Sequence, residues 1–216
     1  MNKQMQVPII GALILIVFAI AVLVYNEKKT DELTETANKN ASLLIRDYSP
    51  TTGDAGAKVT IVEFFDPACE TCKAFHPFVK QIMAANPGRI KLVLRYLPLH
   101  KGSDYVAKLL EAARLQNKFW ETLEVIYQTQ SEWASHHNPQ PEKLWSLLRG
   151  SGLDLSKARE DMISSTIAKR VQQDLSDARQ LQVNKTPGFF VNGKPLVRFG
   201  SEQLLQLVNE EIRNNY

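Results

Sequence analysis

Cys69 and Cys72 are the only cysteines in the chain, with Glu70 and Thr71 between them. At that spacing the two sulfurs can close a small ring, open it again, and exchange it with a foreign disulfide through a thiolate. A structural disulfide framework needs more cysteines at wider intervals. A tetrahedral zinc site needs two further ligands, and His76, His100, His136 and His137 offer none at a ligand-like spacing to a second Cys pair. No Gly-rich phosphate loop speaks for a nucleotide. The expectation is therefore a redox pair with no metal and no other cofactor.

The reactivity of such a pair depends on the elements around it. Lys58–Phe65 is rich in β-branched and aromatic residues and reads as a strand. Asp66-Pro67-Ala68 ends it, and a helix follows from about Cys69 to Ala85, with Phe75, Phe78, Val79, Ile82 and Met83 on its apolar face. Cys69 then sits at a helix N-terminus, where free N–H groups and the helix dipole favour negative charge. In such settings a thiol pKa falls from about 8.5 to roughly 3.5–7.5. Cys72, one turn further in, is expected to be more buried. The natural roles are Cys69 as attacking nucleophile and Cys72 as resolving thiol. A structural pair without turnover stays open from the motif alone, because Cys-x-x-Cys is short.

The remaining elements frame that unit. Asn86-Pro87-Gly88 stops the helix, and Arg89–Leu97 is a nearly continuous apolar run, as in a strand covered on both faces. A helical crossover between two strands implies a parallel pair. From about Ser103 to Gln182 the pattern is helical, broken at His136-His137-Asn138-Pro139, resumed with Pro141 at a first helical position, and turned at Gly150-Ser151-Gly152 before one long helix to about Leu181. Gly188–Val191 and Leu196–Phe199 read as strands around an Asn192-Gly193 hairpin turn, and Ser201 can cap a last helix. The order is βαβ, a block of helices, then ββα.

The N-terminus is different in kind. Residues 7–25 carry no charged side chain, close to the ~20 apolar residues that cross a bilayer. Ala19-Ile20-Ala21 has the small-x-small look of a signal-peptidase site, but the apolar run continues past it, so an uncleaved anchor is expected. Residues 1–6 form a short tail, and 26–42 a polar linker or stalk. Lys3 on one side against Lys28 and Lys29 on the other leaves the positive-inside rule leaning against export of the C-terminal part. The net charge of +3 is spread without a dense basic stripe, which speaks against nucleic-acid binding.

Glu63-Phe64-Phe65-Asp66-Pro67-Ala68-Cys69-Glu70-Thr71-Cys72 resembles the active-site strand and loop of the DsbA-like branch of the thioredoxin superfamily. Thr186-Pro187-Gly188-Phe189-Phe190-Val191-Asn192-Gly193 resembles that branch's cis-proline loop and following hairpin, and Gly53–Val59 its lead-in to the first strand. The resemblance spans about Ser42 to the C-terminus. It implies an α/β thioredoxin fold in two parts, 43–98 and 183–216, around a helical insertion, 99–182. It also implies roles: Glu63 as a buried acid beneath the active site, able to exchange a proton with Cys72; Pro187 as the cis-proline, and Thr186 as backbone for an added substrate strand; Glu70 and Thr71 as the redox-tuning dipeptide. Pro77 resembles the kink-forming proline of thioredoxins. His76 lies on the side of the helix that carries the cysteines, and a structural histidine is its simplest reading.

One departure concerns poise. Glu70-Thr71 stands where strongly oxidising members have Pro-His, and a negative Glu70 opposes thiolate formation. Thr186 before the proline also occurs in isomerase-like members. The resemblance thus implies a thiol–disulfide oxidoreductase acting on cysteine-containing exported proteins with a membrane redox partner, and leaves oxidase, reductase and isomerase directions open. The competing readings are a non-catalytic binding or chaperone module and a glutathione-transferase-type enzyme; the intact cysteines and Thr186-Pro187 argue against the first, the paired cysteines and anchor against the second. Placement outside the cytoplasm follows from the family and from the persistence of disulfides in oxidising compartments.

Overall fold

The computed structural model describes residues 3–135 and 138–216, with side chains from Gly11 onward. The His136-His137 break and the first two residues of the expected tail lie outside the described residues.

Helix α1 (Lys3–Lys39) opens the chain. Its Gly11–Lys39 part is long and apolar enough to cross a membrane, and none of its apolar window is buried among the described residues. The segment expected as a polar linker is helical as far as Lys39. Its Glu, Lys and Leu residues are good helix formers, Glu35 pairs with Lys39 one turn on, and Ala37 is buried against the domain.

A mixed five-stranded sheet forms the centre: β1 (Thr51–Gly53), β2 (Val59–Phe65), β3 (Ile90–Tyr96), β4 (Gly188–Val191) and β5 (Lys194–Pro195), in the order β1-β3-β2-β4-β5. β2 and β3 are parallel, joined through α2 (Glu70–Ala85); β4 runs antiparallel to β2. Ile61 and Phe65 face one core with Val79, Ile82, Leu204 and Val208, while Val62 and Phe64 face a second with Ala178, Leu181 and Phe190. Side chains alternate along a strand, so Glu63 points into the first core. Covering both faces is why β2 and β3 read as continuous apolar runs.

The helical block comprises α3 (Ser103–Leu115), α4 (Phe119–Gln128), α5 (Gln130–Trp133), α6 (Leu144–Leu147), α7 (Leu155–Asp161) and α8 (Ser165–Gln180), before α9 (Ser201–Asn215) closes the chain. The single long helix expected after Gly152 is two: Asp154 caps α7 through the N–H groups of Ser156 and Lys157, and Ser164 caps α8 through Thr166. Asn192 and Gly193 take φ of 48° and 85°, the left-handed pair of a tight hairpin. The second hairpin strand is Lys194–Pro195 instead of Leu196–Phe199, although the Leu196 N–H still reaches the Phe189 carbonyl at 2.8 Å. Ser201 is the first residue of α9; Gly200 holds the cap position, with no side-chain cap bond. Arg95, fully buried, donates to Asp174 (2.8 Å) and Asp177 (2.6 Å) on α8 and to the Leu43 carbonyl, so one guanidinium ties the sheet, α8 and the chain after α1 together.

Candidate functional site

Three chain segments meet at the C-terminal end of β2. The first is the turn Asp66–Cys69. Its Asp66 carboxylate, fully buried, accepts from the N–H groups of Ala68 (2.8 Å), Leu99 (2.7 Å) and His100 (2.9 Å) and from the Ser103 hydroxyl (2.5 Å). The second is α5, whose Gln130 amide reaches the Pro67 and Cys69 carbonyls. The third is Thr186–Pro187, a cis peptide bond that leads into β4.

Cys69 occupies the N-cap of α2 with φ −74° and ψ 119°, and is 7% exposed; Cys72 is fully buried. Both are thiols. The Cys69 sulfur lies 3.5 Å from the Thr186 carbonyl oxygen. A hydrogen bond from the Cys72 thiol, above all, brings Cys69 down to about 5, helped by Thr186 and by the Cys72 and Thr71 N–H groups, against the upward pull of burial. Cys72 moves well above its ordinary value, first by burial, then through the bond it gives Cys69 and the negative charge of Glu63 and Cys69. The two sulfurs are therefore pushed apart: one ionised at neutral pH, the other a buried thiol.

Glu63 is 2% exposed and paired in register with Leu94 and Phe189. Burial, then the Cys69 charge, pushes its carboxyl up to about 8. It is the carboxyl whose charge acts on Cys72. Glu70 and Thr71 are exposed, and the forces that lower Cys69 come from Cys72, Thr186 and backbone. His76 stands apart from the sulfurs in its contacts: its Nε2 is 2.9 Å from Glu124 Oε1 and its ring meets Tyr127 in a tilted contact with centroids 5.2 Å apart, joining α2 to α4. Pro77 lies inside α2 and is exposed.

Sequence reasoning missed Asp66, Gln130 and Tyr127. Asp66 had a signal, an acid directly after a strand, and was read only as a strand end. Gln130 and Tyr127 arrive from the helical insertion and carry no local mark. Tyr127 is buried, and its hydroxyl is held neutral first by that burial and then by the negative charge of Cys72, Glu63, Cys69 and Asp66. Among the described residues, no group of three or more His, Cys, Asp or Glu side chains could hold a metal ion.

A family model described as Thioredoxin matches residues 46–210. The chain belongs to the thioredoxin family. A thioredoxin-like oxidoreductase from Silicibacter pomeroyi DSS-3 superposes with a TM-score of 0.69 at 28% identity, covering 81% of this chain and 98% of that one. The thiol–disulfide exchange protein alpha-DsbA2 from Wolbachia pipientis shares the fold at a TM-score of 0.69 and 20% identity, covering 85% and 97%. The thioredoxin-family part of this chain thus has the fold of DsbA-like thiol–disulfide oxidoreductases, with helices inserted between its two halves. It is also 32% identical over 145 residues to a stretch of the Na(+)/H(+) antiporter NhaA 3 of Salinispora tropica, covering 66% of this chain and 21% of the antiporter. The chain spans about a fifth of the length of the curated relatives it matches.

Proposed function

We propose that this protein is an enzyme that exchanges disulfides with cysteine-containing exported proteins through Cys69 and Cys72. The observation that carries the reading is the opposed shift of two adjacent thiols, Cys69 down to about 5 and Cys72 well up, beside Thr186 and Pro187. In the oxidising direction, a substrate thiolate attacks Cys69 of the Cys69–Cys72 disulfide. The S–S bond breaks, and its electron pair leaves with the Cys72 sulfur, which takes up a proton. A second substrate thiolate then attacks the substrate sulfur of the mixed disulfide, and Cys69 departs as the favoured thiolate. In the reducing direction, Cys69 attacks a substrate disulfide and Cys72 resolves the intermediate, giving its proton to the carboxylate form of Glu63, which the loss of the Cys69 charge in the mixed disulfide favours. The free edge of the Thr186 backbone is suited to pair with an extended substrate strand.

In this reading residues 7–25 anchor the protein in a membrane, with 1–6 as a tail and 26–42 as a stalk. Residues 43–98 and 183–216 form the catalytic fold, 99–182 the insertion, and the catalytic part lies outside the cytoplasm. A membrane protein that re-oxidises or re-reduces the pair completes the cycle.

A thiolate near 5 lies between the thiolates of thioredoxin, about 7, and DsbA, about 3.5. The potential should therefore fall between about −270 and −120 mV. The deciding experiment follows disulfide formation in a reduced, unfolded two-cysteine substrate and measures that potential. Exchange abolished in Cys69→Ser, with a potential in that interval, supports the reading. Unimpaired exchange in Cys69→Ser rejects it.

A further inference from the structure

Gln130 is buried, 2% exposed, on a four-residue helix 61 positions after Cys69. Its Nε2 donates to the Pro67 carbonyl at 3.0 Å and to the Cys69 carbonyl at 3.2 Å. Both hydrogens of one side-chain amide are thereby spent on the two carbonyls that flank the entrance to α2. The Cys69 carbonyl also accepts the Lys73 N–H at 3.1 Å, the first bond of the helix ladder. From the opposite side, the Asp66 carboxylate holds the Ala68 N–H. The turn is gripped by a carboxylate on its N–H side and by a primary amide on its carbonyl side.

We propose that Gln130 is a positioning residue for the Cys69 thiolate. The proposal rests on the reading of Cys69 as the nucleophile. By holding the Pro67 and Cys69 carbonyls, the amide fixes Cys69 in the extended cap conformation that aims its sulfur at the Thr71 and Cys72 N–H groups. Those groups are among the unpaired donors of the first helical turn, and they stabilise charge only while the sulfur stays in line with them. A residue that merely filled this space would need no polar head, and burying an amide is costly unless both hydrogens are bonded. The helical insertion would in this way set the reactivity of a cysteine that belongs to the other part of the fold.

The test uses the full-length reduced protein in detergent, as wild type and as Gln130→Met, which keeps the length of the side chain and removes both donors. Alkylation by iodoacetamide is followed against pH, with the modified peptide resolved by mass so that Cys69 is read alone. The wild type should titrate well below an ordinary thiol. Gln130→Met should raise the Cys69 midpoint by at least about one unit, a tenfold loss of thiolate at pH values below both midpoints, with unchanged circular dichroism. An unchanged midpoint in the folded variant overturns the proposal. A wild-type midpoint near that of a free thiol overturns the nucleophile reading instead. If Gln130→Met does not fold, the wild type decides: the Gln130 side-chain amide signals in a nitrogen–proton NMR titration should shift with the Cys69 midpoint, and signals that stay fixed through it reject the role.

Discussion

The Nδ1 of His100 lies 2.7 Å from Oδ2 of Asp66, and the backbone N–H of the same histidine reaches the same oxygen at 2.9 Å. One carboxylate oxygen thus holds both the ring and the main chain of the loop after β3. Its other oxygen holds Ala68, directly before Cys69. Asp66 is the joint between the turn that carries Cys69 and the start of the helical insertion.

Asp66→Ala strands three backbone N–H groups and the Ser103 hydroxyl in or near the core. Each orphaned buried donor costs ~1–3 kcal/mol, and the costs do not simply add. The expected loss is at least about 3 kcal/mol, read as a lower urea midpoint at constant slope. Asp66→Asn, which keeps one acceptor oxygen, should lose less. A loss under about 1 kcal/mol in Asp66→Ala would refute the joint.

Glu63 keeps its proton up to about pH 8 when folded, against about 4.5 for an ordinary carboxyl. Between those values the folded state binds more protons than the unfolded one, so this group's contribution to stability is lost as pH rises from 4.5 through 8. Each unit of pKa difference corresponds to about 1.4 kcal/mol. In the oxidised protein, where burial without the Cys69 charge raises Glu63, Glu63→Leu should flatten what remains of that decline and raise the melting temperature at pH 8. The same variant should slow resolution of the mixed disulfide by about a hundredfold, the lower end of what a positioned proton acceptor contributes. Lower stability together with unchanged resolution would remove Glu63 from the mechanism.

Cys69 acts with the opposite sign. Its folded value near 5 lies below the ordinary 9.0, so its contribution is fully present above 9 and lost as pH falls through 5. The stability of the reduced protein relative to the oxidised one should therefore grow between pH 5 and 9. Paired melts of the two forms across that range check it, and a flat difference contradicts the lowered thiol. In Cys72→Ser, mixed disulfides with substrate should accumulate on Cys69, detectable on non-reducing gels.

Glu70→His should lower the Cys69 pKa and make the couple more oxidising. The shift should stay below about one unit, since Glu70 is exposed and water and salt screen its charge. Titration of the Cys69 thiolate in the variant decides; no movement at all removes Glu70 from the redox poise.

The native protein should sediment with membranes and resist extraction by high salt, while a chain starting after Tyr25 should be soluble. Mass spectrometry of the native protein should find the 7–25 segment retained. A mature terminus at Val22 would identify a cleaved signal instead.

What the sequence revealed was what local rules control. Lys58–Ala85 announces a strand, a turn and a helix in one continuous stretch, so the position of Cys69 at a helix start could be read directly. Asn192-Gly193 marked its hairpin because few residues accept two left-handed conformations. The break between α7 and α8 was hidden because apolar spacing runs on through Met162, although Ser164 carried a cap signal. The three-residue β1 is too short to show alternation. The helical course of 26–39 was obscured by its polar surface, since Ala37 is the only buried residue there and half-buried Leu33, one turn before it, is the only other apolar residue on its face. Gln130 and Tyr127 were invisible for a different reason: their meaning lies in what the fold brings beside them.

Cys69 is 117 residues away from the Thr186 carbonyl that it touches, and 61 from Gln130. At about 5–20 residues per second of synthesis, the pair exists for roughly 6–23 s before Thr186 has been made. Throughout that interval Cys69 has the Cys72 thiol and the first N–H groups of α2 as neighbours in sequence, but not the Thr186 side chain that also lowers it. Spreading the site over distant segments delays the complete set of partners around Cys69 until Thr186 has been made.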